Sequence, residues 1–289
     1  MKSVIGVTLT LVLILTTAQN AGAADTKLKV VAAENFYGGI AQQIGGDLIE
    51  VASIMSNPNQ DPHLFETTPG VVRQIADAQI LIFNGADYDP WMEKLLNAIP
   101  RAERTVINVA NLVGKKAGDN PHLWYDPAAA KALAAAFAKA DSTHASDYAA
   151  RLTAVLTALE QINKRVEQIR AKYSGVTVTA TEPVFGYMAE ALKLKMRNER
   201  FQLAMMNDTE PSANDIVAFE NDIKQHKVKV LLYNKQVTAK MTERLLDVAG
   251  KAKVPVVGIT ETQPADMSFE DWMLGELNEL DKALAGPTR

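Results

Sequence analysis

Two hydrophobic patterns alternate along the chain. Short runs rich in β-branched residues are typical of buried strands, and longer stretches with an apolar residue every three or four positions are typical of amphipathic helices. Strands that alternate with helices favour parallel sheets covered by helices on both faces. The pattern predicts strands at 28–33, 49–54, 80–83, 105–109, 177–181, 228–233 and 254–259.

Three helix starts carry recognisable capping residues. Thr68 precedes Pro69, and Asp126 precedes Pro127, so each pair offers an N-cap side chain followed by a proline at the first helical position. Ser212 is the predicted cap of a third helix. These signals predict where the three helices begin.

The middle of the chain interrupts this alternation of strands and helices. Residues 146–173 have apolar residues at helical spacing and contain neither Gly nor Pro, which predicts a helix about 42 Å long at roughly 1.5 Å per residue. Such a helix can join two lobes or lie along one domain. Since strands alternate with helices on both sides of it, we expect an α/β protein with two parallel-sheet lobes, residues 25–142 and 174–289, joined by a long rigid linking helix at 143–173.

The first 24 residues differ from the rest. Lys2 precedes an apolar run at 4–15 and a small-residue stretch at 21–24, an order typical of a cleavable signal peptide. The apolar run is too short to span a bilayer. We therefore expect a periplasmic protein. The chain has no cysteine, so we expect neither disulfides nor the lipid attachment point of a bacterial lipoprotein.

Composition narrows the range of functions. Hydrophobic residues make up 47% and charged residues 22% of the chain, as in an ordinary globular protein. The formal net charge of −4 provides no basic field for nucleic acid. We therefore expect no nucleic-acid partner.

Two of the four histidines lie in similar contexts. His63 belongs to "DPHLFETTP", which begins at Asp61, and His122 belongs to "NPHLWYDP", which begins at Asn120. The proline before each histidine restricts the backbone, so each imidazole leaves a stiffened loop. The other two, His144 and His226, lie in polar helix-like stretches and are predicted to face solvent.

Two acids share with these histidines a position just after a predicted strand. Glu182 ends "TVTATE" and Glu261 ends "VPVVGITE", so all four side chains follow predicted strands. Ligands of open α/β sheets bind beyond the carboxyl ends of the strands. Two imidazoles and two carboxylates suit a first-row divalent metal. In the alternatives, Glu182 only accepts backbone hydrogen bonds and Glu261 lies in a solvated loop.

Neighbours of these residues have expected roles as well. Trp124 is predicted to wall the site, because it follows His122 by two positions. Glu34 and Asn35 end the first predicted strand, and either can accept the second N–H of a ligating histidine.

With these motifs the chain resembles the metal-binding solute-binding proteins of ABC transporters, the cluster A-I group that serves zinc and manganese uptake. The resemblance rests on residues 61–85, 120–127, 181–188 and 254–261. It implies two α/β lobes joined by a rigid helix, with one metal ion between them. It also implies a monomer that works with an inner-membrane ABC permease.

Position by position, the resemblance assigns the metal ligands to His63, His122, Glu182 and Glu261. Zinc-type members usually have His at the third position, and manganese-type members usually have Glu. The fourth position is usually Asp, so Glu261 departs from the pattern and Asp266 is an alternative. The His-rich insertion common in zinc-type members is missing. The transported ligand is therefore expected to be Zn²⁺ or Mn²⁺.

The expected protein is a binding protein and not an enzyme. One alternative is a binding protein for an organic solute, with the histidines merely lining its cleft. A less favoured alternative is an exported metallohydrolase, but the chain has no H-E-x-x-H or similar short hydrolytic signature.

Overall fold

The computed structural model describes residues 27–57, 65–237 and 239–286. The predicted signal peptide and His63 lie outside these ranges. The strands are β1 (Leu28–Glu34), β2 (Ile49–Met55), β3 (Ile80–Phe83), β4 (Thr105–Asn108), β5 (Thr177–Ala180), β6 (Lys195–Arg197), β7 (Leu231–Asn234) and β8 (Val256–Ile259). The α-helices are α1 (Asn35–Gly45), α2 (Pro69–Asp77), α3 (Pro90–Ala98), α4 (Val109–Leu112), α5 (Pro127–Ala140), α6 (Ala145–Tyr173), α7 (Gly186–Ala191), α8 (Glu199–Met206), α9 (Ala213–Lys224), α10 (Lys240–Ala252) and α11 (Phe269–Ala285).

The strands form two four-stranded sheets with the same topology. The orders are β2-β1-β3-β4 and β6-β5-β7-β8, and all neighbouring strands pair in parallel. The predicted α/β class with two parallel sheets is confirmed. Strand β6 was not predicted, because its three residues, Lys-Met-Arg, lack an apolar run and two of them are exposed.

Each sheet has a point where the strand order reverses direction. In the first sheet this point lies between β1 and β3, and in the second it lies between β5 and β7. The carboxyl ends of strands at such a switch point leave a crevice that commonly binds ligands. Asn84 directly follows β3, while Glu182 follows β5 and Asn234 ends β7.

Helix α6 lies between the two sheets in sequence and contributes to the core. It has 29 residues, close to the predicted 146–173. One face is buried, and its residues share a single cluster with residues of both sheets. Helix α11 packs against α6. No helix within the described ranges, α6 included, combines the length and apolar character needed to cross a bilayer. The buried residues of α6 are Tyr148, Val155, Leu159, Ile162, Val166 and Ile169.

The predicted helix caps are confirmed. The Thr68 hydroxyl accepts the N–H of Val71 at 3.4 Å, at the start of α2. The Asp126 carboxylate accepts the N–H of Ala128 at 2.9 Å and begins α5. Ser212 caps α9 in the same way. The cap of α5 matters for the site, because it ends the short loop that contains the second histidine motif.

Candidate metal centre

His122 is fully buried, and its hydrogen bonds define which ring nitrogen carries the proton. Its Nδ1 lies 2.6 Å from Oδ1 of Asn120. The Nδ2 of Asn120 donates to the carbonyl of Pro183 at 2.8 Å, so Oδ1 is the acceptor end of this amide. Nδ1 therefore donates its proton to Asn120. The lone pair of the imidazole is left on Nε2, as in a ligating histidine.

The lone pair on Nε2 faces a carboxylate. Nε2 makes no hydrogen bond to any described residue, and it lies 3.5 Å from Oε2 of Glu261. Glu261 is buried as well. Two ligands bound tetrahedrally at about 2.0–2.2 Å from one metal ion would lie about 3.4 Å apart. The spacing of these two atoms therefore fits a shared cation.

Glu182 is connected to Glu261 through one side chain. The Nδ2 of Asn234 donates to Oε2 of Glu182 at 2.7 Å and to Oε1 of Glu261 at 2.5 Å. Both carboxylates are buried. The Asn234 amide thus contacts both Glu182 and Glu261. The loop ends of β5, β7 and β8 meet at this amide.

The loop of Glu261 is held by Gln236. The Oε1 atom of Gln236 accepts the backbone N–H groups of Glu261 and Thr262, at 2.5 and 3.0 Å. Asp266, the alternative fourth ligand, lies further along this loop and is exposed. The local geometry favours Glu261 over Asp266, and the fourth ligand stays a prediction.

A strained turn presents Tyr88 to Glu261. Gly85, Ala86 and Asp87 all have φ between 51 and 74°, the left-handed region. The Asp89 carboxylate accepts the N–H groups of Asn84 and Gly85, at 2.7 and 2.8 Å, and so holds this turn. The Tyr88 hydroxyl then donates to Oε2 of Glu261 at 3.3 Å. This bond joins the first lobe to the second.

Trp124, predicted to form a wall of the site, packs against His122. Its ring lies edge-on to that of His122, with centroids 5.3 Å apart, and it is 4.8 Å from the ring of Tyr88. All three side chains are buried. Excluding water in this way strengthens electrostatic interactions within the site.

Glu34 and Asn35 do not accept the second N–H of His122, which goes to Asn120. Their expected role towards His63 stays a prediction, because His63 lies outside the described residues. Asn35 instead exchanges two hydrogen bonds with the backbone of Gln263, at 2.8 and 3.2 Å, and so links the lobes. Glu34 is buried near Asp89. Burial and the negative charge of Asp89 raise the pKa of Glu34 well above its ordinary value.

The remaining histidines have different surroundings. His226 is exposed, as predicted. His144 is half-exposed and its Nδ1 lies 2.6 Å from Oδ2 of Asp141, so the prediction of a solvent-facing side chain is confirmed only in part there.

His63 lies within residues 58–64, outside the described ranges. The chain enters that segment just beyond β2, whose last residue, Met55, pairs with Glu34 at the end of β1. It emerges at Phe65, whose ring lies 4.6 Å from that of Trp91. Considering the described residues alone, no three His, Asp or Glu side chains group closely enough to hold a metal ion. Of the three predicted ligands that the structure describes, His122 and Glu261 lie in close contact. Glu182 is connected to Glu261 through the side chain of Asn234.

Four residues that contact the predicted ligands were not predicted. They act through hydrogen bonds, which hydrophobic patterning does not report. A signal was present for Asn120, which lies two positions before His122. A second signal was "YNKQ" at the end of β7, where the strand meets the switch point of its sheet. The four residues are Tyr88, Asn120, Asn234 and Gln236.

The two parallel-sheet lobes meet at a buried polar site beyond the carboxyl ends of their strands, and solved structures share this architecture. The solved structure of the periplasmic zinc-binding protein TroA from Treponema pallidum has the same fold, with a TM-score of 0.75 and 19% identity over 90% of this chain and 99% of that one. A manganese-bound periplasmic metal-binding protein from Candidatus Liberibacter asiaticus gives a TM-score of 0.73 at 17% identity, over 90% of this chain and all of that one.

Sequence comparison identifies the family. The ZnuA family model, described as zinc-uptake complex component A, periplasmic, matches residues 30–283, and the chain belongs to this family. One relative is the manganese-binding lipoprotein MntA of Bacillus subtilis, 23% identical over 90% of this chain and 91% of its own. Another is the high-affinity zinc uptake system protein ZnuA of Bacillus subtilis, 22% identical over 78% of this chain and 77% of its own.

Family membership confirms the resemblance and the general function. The protein is a metal-binding solute-binding protein of an ABC importer, and not an enzyme. This conclusion sets aside the metallohydrolase and the receptor for an organic solute.

Proposed function

We propose that this protein binds one Mn²⁺ or Zn²⁺ ion between its lobes, through His63, His122, Glu182 and Glu261, and delivers it to an inner-membrane ABC permease. The observation that supports this proposal most strongly is the pair formed by Nε2 of His122 and Oε2 of Glu261. The two atoms are 3.5 Å apart in a buried site, and no described residue donates a hydrogen bond to Nε2.

The donor chemistry supports the choice of metals. Imidazole nitrogen suits Zn²⁺, and carboxylate oxygen moves the preference towards Mn²⁺. One relative of the chain is named as a manganese-binding protein and another as a zinc uptake protein. The Irving–Williams order places Zn²⁺ above Mn²⁺ for such donors, so the metal bound more tightly in a test tube need not be the one transported.

His63 is proposed as the ligand that completes the site from the first lobe. Its segment begins beyond the carboxyl end of β2, which is adjacent to β1 at the edge of the sheet that faces the site. In the sequence, Pro62 precedes His63 as Pro121 precedes His122, and a proline fixes its own φ. The similar sequence contexts support a similar role for the two histidines.

The remaining features of the proposal concern the whole protein. We place it in the periplasm as a monomer, with lobes at 25–142 and 174–289 and the linking helix at 143–173. The hydrogen bonds of Tyr88 with Glu261 and of Asn35 with Gln263 support a metal site that depends on both lobes.

Metal analysis and calorimetry test this function. Purified protein, stripped of metal and titrated with Mn²⁺ or Zn²⁺, should bind one ion per chain. His63→Ala and Glu182→Ala should each weaken binding at least tenfold, while the exposed His226→Ala should leave it unchanged. The absence of stoichiometric binding with either metal would refute the proposal. A thermal-shift panel that includes sugars and amino acids tests for an organic ligand, since a tight ligand raises Tm.

A further inference from the structure

Asn234 occupies a central position among the candidate ligands. Its single NH₂ group donates one hydrogen bond to Glu182 and one to Glu261. The side chain is 1% exposed. It lies at the end of β7, the strand between the strands that lead to the two acids.

We propose that Asn234 is a positioning residue that holds Glu182 and Glu261 as a preformed pair for the metal ion. This inference rests on the proposed function, and it concerns how the site is organised before the metal arrives. Asn234 does not bind the metal itself.

The orientation of the Asn234 amide is fixed by the backbone. Its Oδ1 accepts the N–H of Gln236 at 3.0 Å, so the NH₂ end has to point towards the carboxylates. The backbone N–H of Asn234 donates to the hydroxyl of Thr181 at 3.3 Å. The amide is therefore held at both its oxygen and its main chain.

The amide also limits the distance between the two acids. Because both carboxylate oxygens lie within hydrogen-bond distance of one nitrogen, they are at most about 5 Å apart. Two carboxylates held this close repel each other, and the NH₂ group of Asn234 offsets this repulsion by donating one hydrogen bond to each of them.

The arrangement is compatible with a bound metal. The bond from Asn234 uses Oε1 of Glu261, whereas Oε2 of the same carboxylate faces His122. The amide can therefore keep its bond while the other oxygen binds the ion. Outer-sphere partners of this kind commonly contribute 10- to 100-fold to metal affinity.

The test compares Asn234→Leu, which has a similar volume and no donor, with wild type and with Gln202→Leu. Gln202 is an equally buried amide of the second lobe, and it donates to the carbonyl of Arg197 at 2.6 Å. Affinities for Mn²⁺ and Zn²⁺ are measured by competition with a chelating dye. We expect Asn234→Leu to weaken both about 10- to 100-fold, and Gln202→Leu to change them less than twofold while lowering Tm.

A double-mutant cycle separates positioning from a general loss of stability. In a Glu182→Gln background the pair no longer exists, so adding Asn234→Leu should weaken binding less than about threefold, because the two effects are coupled. If Asn234→Leu does not fold, Asn234→Ala replaces it in both arms. Unchanged or tighter binding by the Asn234 variant would overturn the inference, and so would an equal loss in both backgrounds. Failure of wild type and Gln202→Leu to bind metal would instead refute the proposed function.

Discussion

The Nε2 atom of His122 and Oε2 of Glu261 face each other at 3.5 Å, although the two residues come from opposite halves of the chain. Since Nδ1 of His122 donates to Asn120, Nε2 is an acceptor, and so is the carboxylate oxygen opposite. Two facing acceptors in a buried site are costly unless something between them is positive. In the proposed function, a divalent cation takes this place.

Removing the acceptor for the second N–H of His122 should weaken metal binding. Asn120→Ala leaves Nδ1 without its partner and frees the ring to rotate, so we expect about a 10- to 100-fold loss of affinity. Asn120→Asp keeps an oxygen for Nδ1 and should bind metal more tightly than Asn120→Ala. Calorimetric titration measures both. Equal affinities of wild type and Asn120→Ala would show that the contact does not orient the ring.

The acid pair of Glu34 and Asp89 should make stability depend on pH. Burial raises the pKa of Glu34 above 4.5, and it raises the pKa of Asp89 from 3.8 to about 6. The folded protein therefore retains protons that the unfolded chain releases. As pH rises from about 4 through 6, Asp89 should lower the free energy of unfolding. Glu34 should lower it further until the pH passes its raised pKa.

Glu34→Gln tests this pH dependence, because the amide has a similar shape and cannot ionise. Urea unfolding at pH 4.5 and 7 should show a smaller difference in the free energy of unfolding for Glu34→Gln than for wild type. The exposed Glu199→Gln is the control and should behave like wild type. A pH dependence that Glu34→Gln leaves unaltered would exclude the pair as its source.

The shared core should make the described lobes unfold together. Leu159 of α6 is buried in the cluster that contains residues of both sheets. Leu159→Ala should therefore cost about 2–5 kcal/mol of stability. Calorimetry should show one unfolding transition for wild type and for Leu159→Ala, at a lower temperature in the variant. The exposed Gln161→Ala should leave Tm nearly unchanged. Two well-separated transitions would indicate independent lobes.

Metal binding should change the shape of the molecule only slightly. The lobes are joined by the continuous core and by specific bonds, such as that of the Tyr125 hydroxyl to the carbonyl of Thr260 at 2.7 Å. Small-angle scattering of metal-free and metal-loaded protein should therefore give closely similar profiles. A large decrease in the radius of gyration on loading would instead indicate hinge closure of whole lobes.

The elements of this fold could be predicted from sequence wherever one physical pattern dominates. A short, continuous apolar run identified β3, period-3.6 hydrophobicity identified α6, and the capping residues located the starts of α2, α5 and α9. Strand β6 was missed because two of its three side chains are exposed, and pairing with β5 supplies what its sequence lacks.

The candidate donors could be chosen from the sequence, and their role as metal ligands stays a prediction, whereas the side chains that hold them in place could not be predicted. His122, Glu182 and Glu261 stood out because each follows a strand, and parallel strands end at one edge. The sequence did not identify Asn120 as the acceptor for His122, because Asn120, Glu34 and Asn35 all qualify chemically and only tertiary packing decides between them. The roles of Asn234 and Gln236 could not be predicted for the same reason, since an amide at the end of a strand has no distinctive sequence pattern.

Crystals of the protein loaded separately with Mn²⁺ and Zn²⁺, measured at the absorption edge of each metal, test the central claim most directly. The proposed function predicts one anomalous peak about 2.0–2.2 Å from Nε2 of His122 and from carboxylate oxygens of Glu182 and Glu261, with His63 as the fourth ligand. A single peak at another place, or a peak that these side chains do not reach, would contradict the assignment of the site.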